Sequence, residues 1–74
     1  MKYIIDKNQR PVYLQIYKQL RDDIIDGVYG FGSRLPSKRI LAQELGVSTV
    51  TAEHAYELLC DEGYAKAVEK SGFY

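Results

Sequence analysis

The sequence predicts a small, mainly α-helical domain that closes with a short β-hairpin. Apolar residues repeat at helical spacing in three segments, helix-starting and helix-ending residues separate those segments, and an alternating stretch with a turn closes the chain. The 74 residues, of which 46% are apolar and 27% charged, are typical of one folded domain. A chain of this length has no room for a deep catalytic cleft, so we do not expect an enzyme.

The first helix is predicted to follow an N-terminal arm at residues 1–10, which is expected to be extended or loosely ordered. Pro11 suits the first helical position, and Gly27 is expected to end the helix after about four turns. Between them the apolar residues lie three or four positions apart, as one buried helical face requires. They are Tyr13, Ile16, Tyr17, Leu20 and Ile24.

Two further helices are predicted around a tight turn. Ser37 is expected to cap the second helix, Gly46 to end it in a left-handed conformation, and Ser48 to cap the third after about three residues. One face of the third helix carries four apolar residues, and the opposite face carries four residues of which three are polar or charged. We expect Ala52, Ala55, Tyr56 and Leu59 in the core, and Val50, His54, Glu57 and Asp61 outside.

Short strands are predicted on both sides of this unit. The glycine-containing loop after the first helix is expected to hold a very short strand at Arg34 and Leu35. Residues 64–68 alternate like a half-buried strand with Tyr64 in the core, residues 69–72 form a turn, and residues 73–74 begin a returning strand. Three helices followed by a hairpin constitute a winged helix-turn-helix domain, predicted over residues 11–74.

The charges sum to zero, but their distribution is uneven. Between Ser33 and Ala52 there are three basic residues and one acidic residue, whereas Asp22, Asp23 and Asp26 lie together at the end of the first helix. We therefore predict a basic face and an acidic back, an arrangement that allows nucleic-acid binding despite the neutral total.

Several other functions find no support in the sequence. No segment has the length of a membrane span or the pattern of a secretory signal, and the lone Cys60 fits a reducing compartment, so we expect a cytoplasmic protein. His54 and Cys60 lie six residues apart and point away from each other on a helix. No metal site, no cofactor and no catalytic constellation is predicted.

The chain resembles the GntR family of bacterial transcription regulators over residues 11–74. The resemblance rests on an ordered series of motifs and is closer to the YtrA-like and MocR-like branches. The motifs are Tyr-Leu-Gln-Ile-Tyr at 13–17, Leu-Pro-Ser-Lys-Arg at 35–39, Leu-Gly-Val-Ser at 45–48, Ala-Tyr-Glu at 55–57, Glu-Gly-Tyr at 62–64 and Ser-Gly at 71–72.

The resemblance implies a winged domain that binds a palindromic operator in double-stranded DNA as part of a homodimer. It implies that Arg39 contacts DNA from the second helix, that Ser48 and Thr51 touch phosphates or base edges, and that the wing tip at 70–72 reaches the minor groove. A small-molecule effector would act through a second domain that is absent from this chain. The chain stops abruptly at Tyr74, so we expect it to be one domain of a longer protein.

We therefore predict a set of DNA-binding residues, each with an alternative role. Arg39 could instead pair with Glu44, Ser48 could act only as a helix cap, and Val50 could be a stray apolar surface residue rather than a contact to a thymine methyl group. The predicted set is Arg34, Ser37, Lys38, Arg39, Ser48, Thr49, Val50, Thr51, His54, Lys70, Ser71 and Gly72.

Two residues depart from the family pattern and motivate a second hypothesis. Thr49 and Glu53 stand where members of the family often carry arginine, the side chain that can bind guanine through two hydrogen bonds. Lys70 stands where glycine is common in the wing, which adds a cation and restricts the turn. The alternative function is a winged-helix module that binds another protein and has weakened DNA binding.

Overall fold

The computed structural model of the chain describes residues 3–74 and has three helices followed by a two-stranded antiparallel hairpin. The elements are α1 (Val12–Ile25), α2 (Lys38–Leu45), α3 (Thr49–Asp61), β1 (Ala67–Val68) and β2 (Gly72–Phe73). Both α1 and α2 pack against α3, and the hairpin follows at its end. The predicted winged helix-turn-helix architecture is confirmed.

The predicted helix ends are confirmed to within one or two residues. Ser37 and Ser48 are the N-caps of α2 and α3, and their hydroxyl oxygens accept hydrogen bonds from first-turn amides. Gly46 ends α2 with φ of +66°, a conformation that costs other L-residues free energy. Pro11 is the residue before α1 rather than its first helical residue, since the helix begins at Val12.

One hydrophobic core joins the three helices. The faces predicted for α1 and α3 point inward, but Tyr64 is 36% exposed, so its predicted place in the core is wrong. Tyr64 follows the exposed Gly63 just after the end of α3, where the chain lies at the surface. The buried side chains are Ile16, Tyr17, Leu20, Leu35, Leu41, Ala42, Ala52, Ala55, Tyr56 and Leu59.

The hairpin is shorter than predicted. The two strands have two residues each, with Ala67 opposite Phe73 and Val68 opposite Gly72, so the expected strand over 64–68 is confirmed only at its last two residues. Its alternating burial is wrong, because both residues of β1 are exposed. Gly72 belongs to β2 and not to the turn, and backbone bonds between Lys66 and Tyr74 continue the pairing beyond the strands.

The predicted strand at Arg34 and Leu35 does not form. A single bond remains, in which the Leu35 N–H donates to the Phe73 carbonyl over 2.8 Å, so this segment only touches the hairpin edge. One hydrogen bond at the edge of a two-residue strand is too little to extend the sheet.

Tyr56 joins α3 to both the start of α2 and the hairpin. Its ring lies parallel to that of Phe73, with the centroids 4.3 Å apart, and its hydroxyl donates to the Pro36 carbonyl. The side chain is fully buried, and burial raises the pKa of its hydroxyl above the ordinary value for tyrosine. Tyr56 therefore helps to fix the start of α2 and the hairpin relative to α3.

The described part of the N-terminal arm is hydrogen-bonded along α1, so of the two expected states, extended or loosely ordered, the loose one is not found. Residues 1–2 of the predicted arm lie outside the described residues. Gln19 donates to the Ile4 carbonyl and accepts from its N–H, both over 3.0 Å. Gln15 makes the same reciprocal pair with Asp6, both bonds being 2.8 Å long. The side-chain amides of Gln15 and Gln19 thus hold the arm along α1. Nothing in the sequence around these two glutamines indicates this role.

Candidate nucleic-acid interface

The first turn of α3 presents a polar, exposed surface with unsatisfied backbone donors. The Ser48 hydroxyl oxygen accepts from the Thr51 N–H over 3.1 Å and lies 2.8 Å from the Thr51 hydroxyl. Within residues 3–74, the N–H groups of Thr49 and Val50 have no hydrogen-bond acceptor. Such amides at a helix N-terminus carry partial positive charge and can bind phosphate oxygens.

The side chains on this turn project outward as the sequence predicted. Val50 is 76% exposed, and Thr49 is exposed beside it. Thr51 is half-buried, and its hydroxyl is engaged with that of Ser48. The structure therefore leaves Thr49 and Val50 as the exposed side chains of this turn, and it gives Thr51 a local capping role.

Lys38 of α2 forms an ion pair with Glu53 of α3. Its ammonium lies 2.7 Å from the Glu53 carboxylate, so the charge predicted to hold the DNA backbone is neutralised within the domain. The same contact reduces the negative field that Glu53 would project toward phosphates. Both side chains are nearly half exposed, so solvent weakens the pair and either partner can exchange it for another.

The exposed Arg39 makes no ion pair with any residue in the range 3–74, so its alternative partner, Glu44, is not engaged. Arg34 instead lies against the hairpin, with its Nε 3.2 Å from where a Cβ on Gly72 would be. The Gly72 backbone, at φ of +132°, thus provides both an unusual conformation and space for the guanidinium group. Two predicted site residues, Arg34 and Gly72, are brought together at the wing.

The tip of the hairpin points a cation outward. Lys70 is exposed and has φ of +63°, the only positive φ of a non-glycine residue in the described chain. Ser71 contacts the Tyr74 hydroxyl through its own hydroxyl, and its N–H donates to the Val68 carbonyl over 3.0 Å. These bonds tie the turn to the strands and hold Lys70 at its apex.

His54 stacks on α1. Its ring is nearly parallel to that of Tyr13, with an interplanar angle of 13° and centroids 3.6 Å apart, while its other face remains exposed. Stacking of this kind orients the imidazole along the surface of the domain. His54, which is predicted to lie at the edge of the interface, is therefore held in place by its stacking on Tyr13.

The helix α3 itself carries no lysine or arginine, whereas Glu53, Glu57 and Asp61 are acidic. The cations near the start of α3 belong to other segments of the chain. Two of them are not in the set of DNA-binding residues predicted from the sequence. Lys7 and Arg10 of the arm line a groove of about 410 Å³ together with residues of the first turns of α3. Scattered charges ahead of a helix are common on protein surfaces, so Lys7 and Arg10 do not indicate in the sequence that the arm folds beside α3.

The described residues contain no cluster for metal chemistry and no membrane span. Within residues 3–74, no group of three or more His, Cys, Asp or Glu side chains is arranged to hold a metal ion. Over the same range, none of the helices has the length and apolar character needed to cross a membrane. Burial raises the pKa of the Cys60 thiol, which disfavours the reactive thiolate.

Comparison with known proteins places this architecture in a family. Residues 12–74 match the family described as "Bacterial regulatory proteins, gntR family". The Bacillus subtilis (strain 168) protein YhdI, an uncharacterized HTH-type transcriptional regulator, is 42% identical over 72 residues, which are 97% of this chain and 15% of that protein. The Rhizobium meliloti protein MocR, a probable rhizopine catabolism regulatory protein, is 39% identical over 62 residues, which are 84% of this chain and 13% of MocR.

A solved structure supports the same assignment. YtrA from Sulfolobus acidocaldarius, a GntR-family transcription factor, superimposes with a TM-score of 0.85 at 39% identity, covering 96% of this chain and 76% of YtrA. The resemblance read from the motifs is thereby confirmed, with relatives in both of the branches that it indicated. The named relatives are transcription regulators and not enzymes.

Proposed function

Because the chain belongs to the gntR family of bacterial regulatory proteins, we propose that its winged helix-turn-helix domain binds double-stranded DNA by inserting the start of α3 into the major groove. The observation that carries this proposal is the exposed first turn of α3, where the N–H groups of Thr49 and Val50 lack acceptors within the described chain. A phosphate placed there would gain two backbone hydrogen bonds and favourable helix-dipole electrostatics.

Sequence preference would come from the side chains of the same turn. The Thr49 hydroxyl can donate to or accept from base edges, and the exposed Val50 methyl groups suit contact with a thymine methyl group. His54 would act at the edge of the groove, where stacking on Tyr13 limits its reach. Ser48 and Ser37 support the interface by capping α3 and α2, and Thr51 completes the cap of α3.

The backbone contacts would come from the cations flanking α3. The exposed Arg39 of α2 would bind phosphate, and the exposed Lys70 at the wing tip would approach the minor groove. Arg34 and Ser71 would act by supporting the wing. Lys38 would contribute less than Arg39, because Glu53 already neutralises it.

The rest of the regulatory function belongs to the longer protein. This chain spans 13% to 15% of the length of the two named relatives. We propose that a full-length homodimer presents two such domains to a palindromic operator in the cytoplasm, and that a small-molecule effector acts through the remaining part. Paired domains would supply the affinity that one half-site lacks.

The proposal is tested by selecting duplexes from a random pool with the 74-residue chain and sequencing those that bind. We expect an enriched half-site whose enrichment is lost for a Thr49→Ala, Val50→Ala double variant while general duplex affinity is largely kept. Binding without any enriched sequence would contradict sequence-specific recognition. Failure to bind any duplex at low salt would favour the alternative, a protein-interaction module in which the Lys38–Glu53 pair has replaced DNA-binding charge.

A further inference from the structure

The helix α3 must obtain its phosphate-binding charge from neighbouring segments. It contains three acidic residues and no lysine or arginine, and the nearest lysine on α2 is paired with Glu53. The groove beside the first turns of α3 is bordered on its far side by the N-terminal arm, which contributes Lys7 and Arg10. Both side chains are exposed.

The arm holds these cations in a fixed place. The Gln15 amide donates to the carbonyls of Asp6 and Gln9 over 2.8 and 2.7 Å and accepts from the Asp6 N–H. The Asp6 carboxylate in turn accepts from the Asn8 N–H over 3.0 Å, which closes a turn around Lys7. A segment fixed in this way loses little conformational entropy when its side chains bind a ligand.

Lys7 reaches from the arm to the turn between α2 and α3. Its ammonium donates to the Gly46 carbonyl over 2.6 Å, two residues before the N-cap of α3. An ammonium group has three donors, so this bond leaves two for a phosphate bound at the start of α3. Arg10 has no ion-pair partner within residues 3–74, and it lines the same groove as Ser48 and Thr51.

We propose that Lys7 and Arg10 bind DNA phosphates next to the start of α3, so that the N-terminal arm is a third contact element beside α3 and the wing. This inference rests on the proposed DNA binding of the domain. It adds a source of positive charge beside Arg39 and Lys70, and it gives a role to the four side-chain amide bonds to Ile4 and Asp6 that fix the arm along α1.

The test measures the dissociation constant of the 74-residue chain for a duplex of random sequence at several salt concentrations. We expect Arg10→Gln and Lys7→Gln each to reduce the slope of log affinity against log salt by about 0.9, and to weaken binding roughly eightfold at 0.1 M salt. Lys18→Gln is the matched control, because Lys18 is an exposed cation of α1 that does not line the groove. It should leave the slope unchanged.

The outcomes separate this inference from the function on which it rests. If the wild-type chain shows no salt-dependent binding, the proposed DNA binding is wrong. If the wild-type chain binds but both arm variants behave like Lys18→Gln, only the role of the arm is wrong. Because Lys7→Gln can also loosen the contact with Gly46, its urea midpoint is measured alongside, and a lowered midpoint leaves the decision to Arg10→Gln.

Discussion

The substitution Glu53→Gln is expected to strengthen DNA binding by releasing a neighbouring cation. The Glu53 carboxylate lies 2.7 Å from the Lys38 ammonium, and the two side chains are 44% and 45% exposed. Glutamine has nearly the same shape but no charge, so Lys38 would no longer be neutralised. Its flexible stem could then bring the ammonium to a phosphate at the side of α3.

The expected magnitude follows from the charge and exposure of this pair. One additional phosphate contact steepens the salt dependence by about 0.9, and breaking an exposed ion pair costs only about 0.2 to 1 kcal/mol, so removing the partner of Lys38 raises affinity by at most about fivefold. The cost to folding is small, since exposed ion pairs contribute about 0.2 to 1 kcal/mol. The gain in binding should therefore appear without a large change in the free energy of unfolding.

The assay is a fluorescence anisotropy titration of a labelled duplex at several salt concentrations. Glu57→Gln is the matched control, because Glu57 is an exposed acid one turn further along α3 that forms no ion pair within the described chain. Both variants remove one negative charge from α3, so the difference between them isolates the release of Lys38. In a Lys38→Met background, Glu53→Gln should gain no more than Glu57→Gln.

The reasoning is refuted if Glu53→Gln binds duplex DNA no better than Glu57→Gln, or if its advantage persists in the Lys38→Met background. The first result would mean that the released ammonium does not reach a phosphate. The second would mean that Glu53 acts on DNA directly and that its pairing with Lys38 is irrelevant to binding.

Three further substitutions test other parts of the structure. Arg39→Ala should reduce the slope of log affinity for duplex DNA against log salt concentration by about 0.9. An unchanged slope would show that Arg39 does not contact DNA phosphates. Tyr56→Phe should lower the free energy of unfolding by about 1 to 3 kcal/mol in urea titrations, because the Pro36 carbonyl loses its donor while the ring still packs; no loss would show that water replaces the bond. Gly46→Ala should destabilise by about 1 to 2 kcal/mol, since φ of +66° disfavours alanine and its Cβ would lie 3.3 Å from Lys7 Nζ; a neutral result would show that the turn relaxes.

The three helices and their caps could be predicted because their causes are local. Apolar spacing fixed the buried faces of α1 and α3, and the conformational preferences of Ser37, Gly46 and Ser48 fixed where helices begin and end. Each of these signals acts within about one helical turn of the residue that carries it. The tight turn between α2 and α3 followed directly from them.

The strands and the arm could not be predicted in detail because their causes lie far away in sequence. Whether residues 64–68 pair depends on where Phe73 is held, and Phe73 is held by stacking on Tyr56. The arm depends on side-chain amides of α1 up to 15 residues away. Propensity and alternation carry no information about such contacts.

The exposed start of α3 could be predicted because its cause is local. The contacts around it could not, because they join residues that are far apart in the sequence. The exposed start of α3 follows from helix geometry, but the pairing of Lys38 with Glu53 spans 15 residues and changes the expected role of both. Taken separately, Lys38 is a cation that can bind DNA and Glu53 is an acid that disfavours binding. Their contact makes them one neutral unit.

The division of α3 into two faces has a consequence for how such a domain can change. The side chains that build the fold, Ala52, Ala55, Tyr56 and Leu59, are completely buried, whereas Thr49 and Val50 make no contribution to that core. Exposed positions of this kind tolerate substitution with little effect on stability. If α3 reads DNA as we propose, new sequence preferences can arise, in evolution or by design, through changes at two or three outward positions of a scaffold that remains the same.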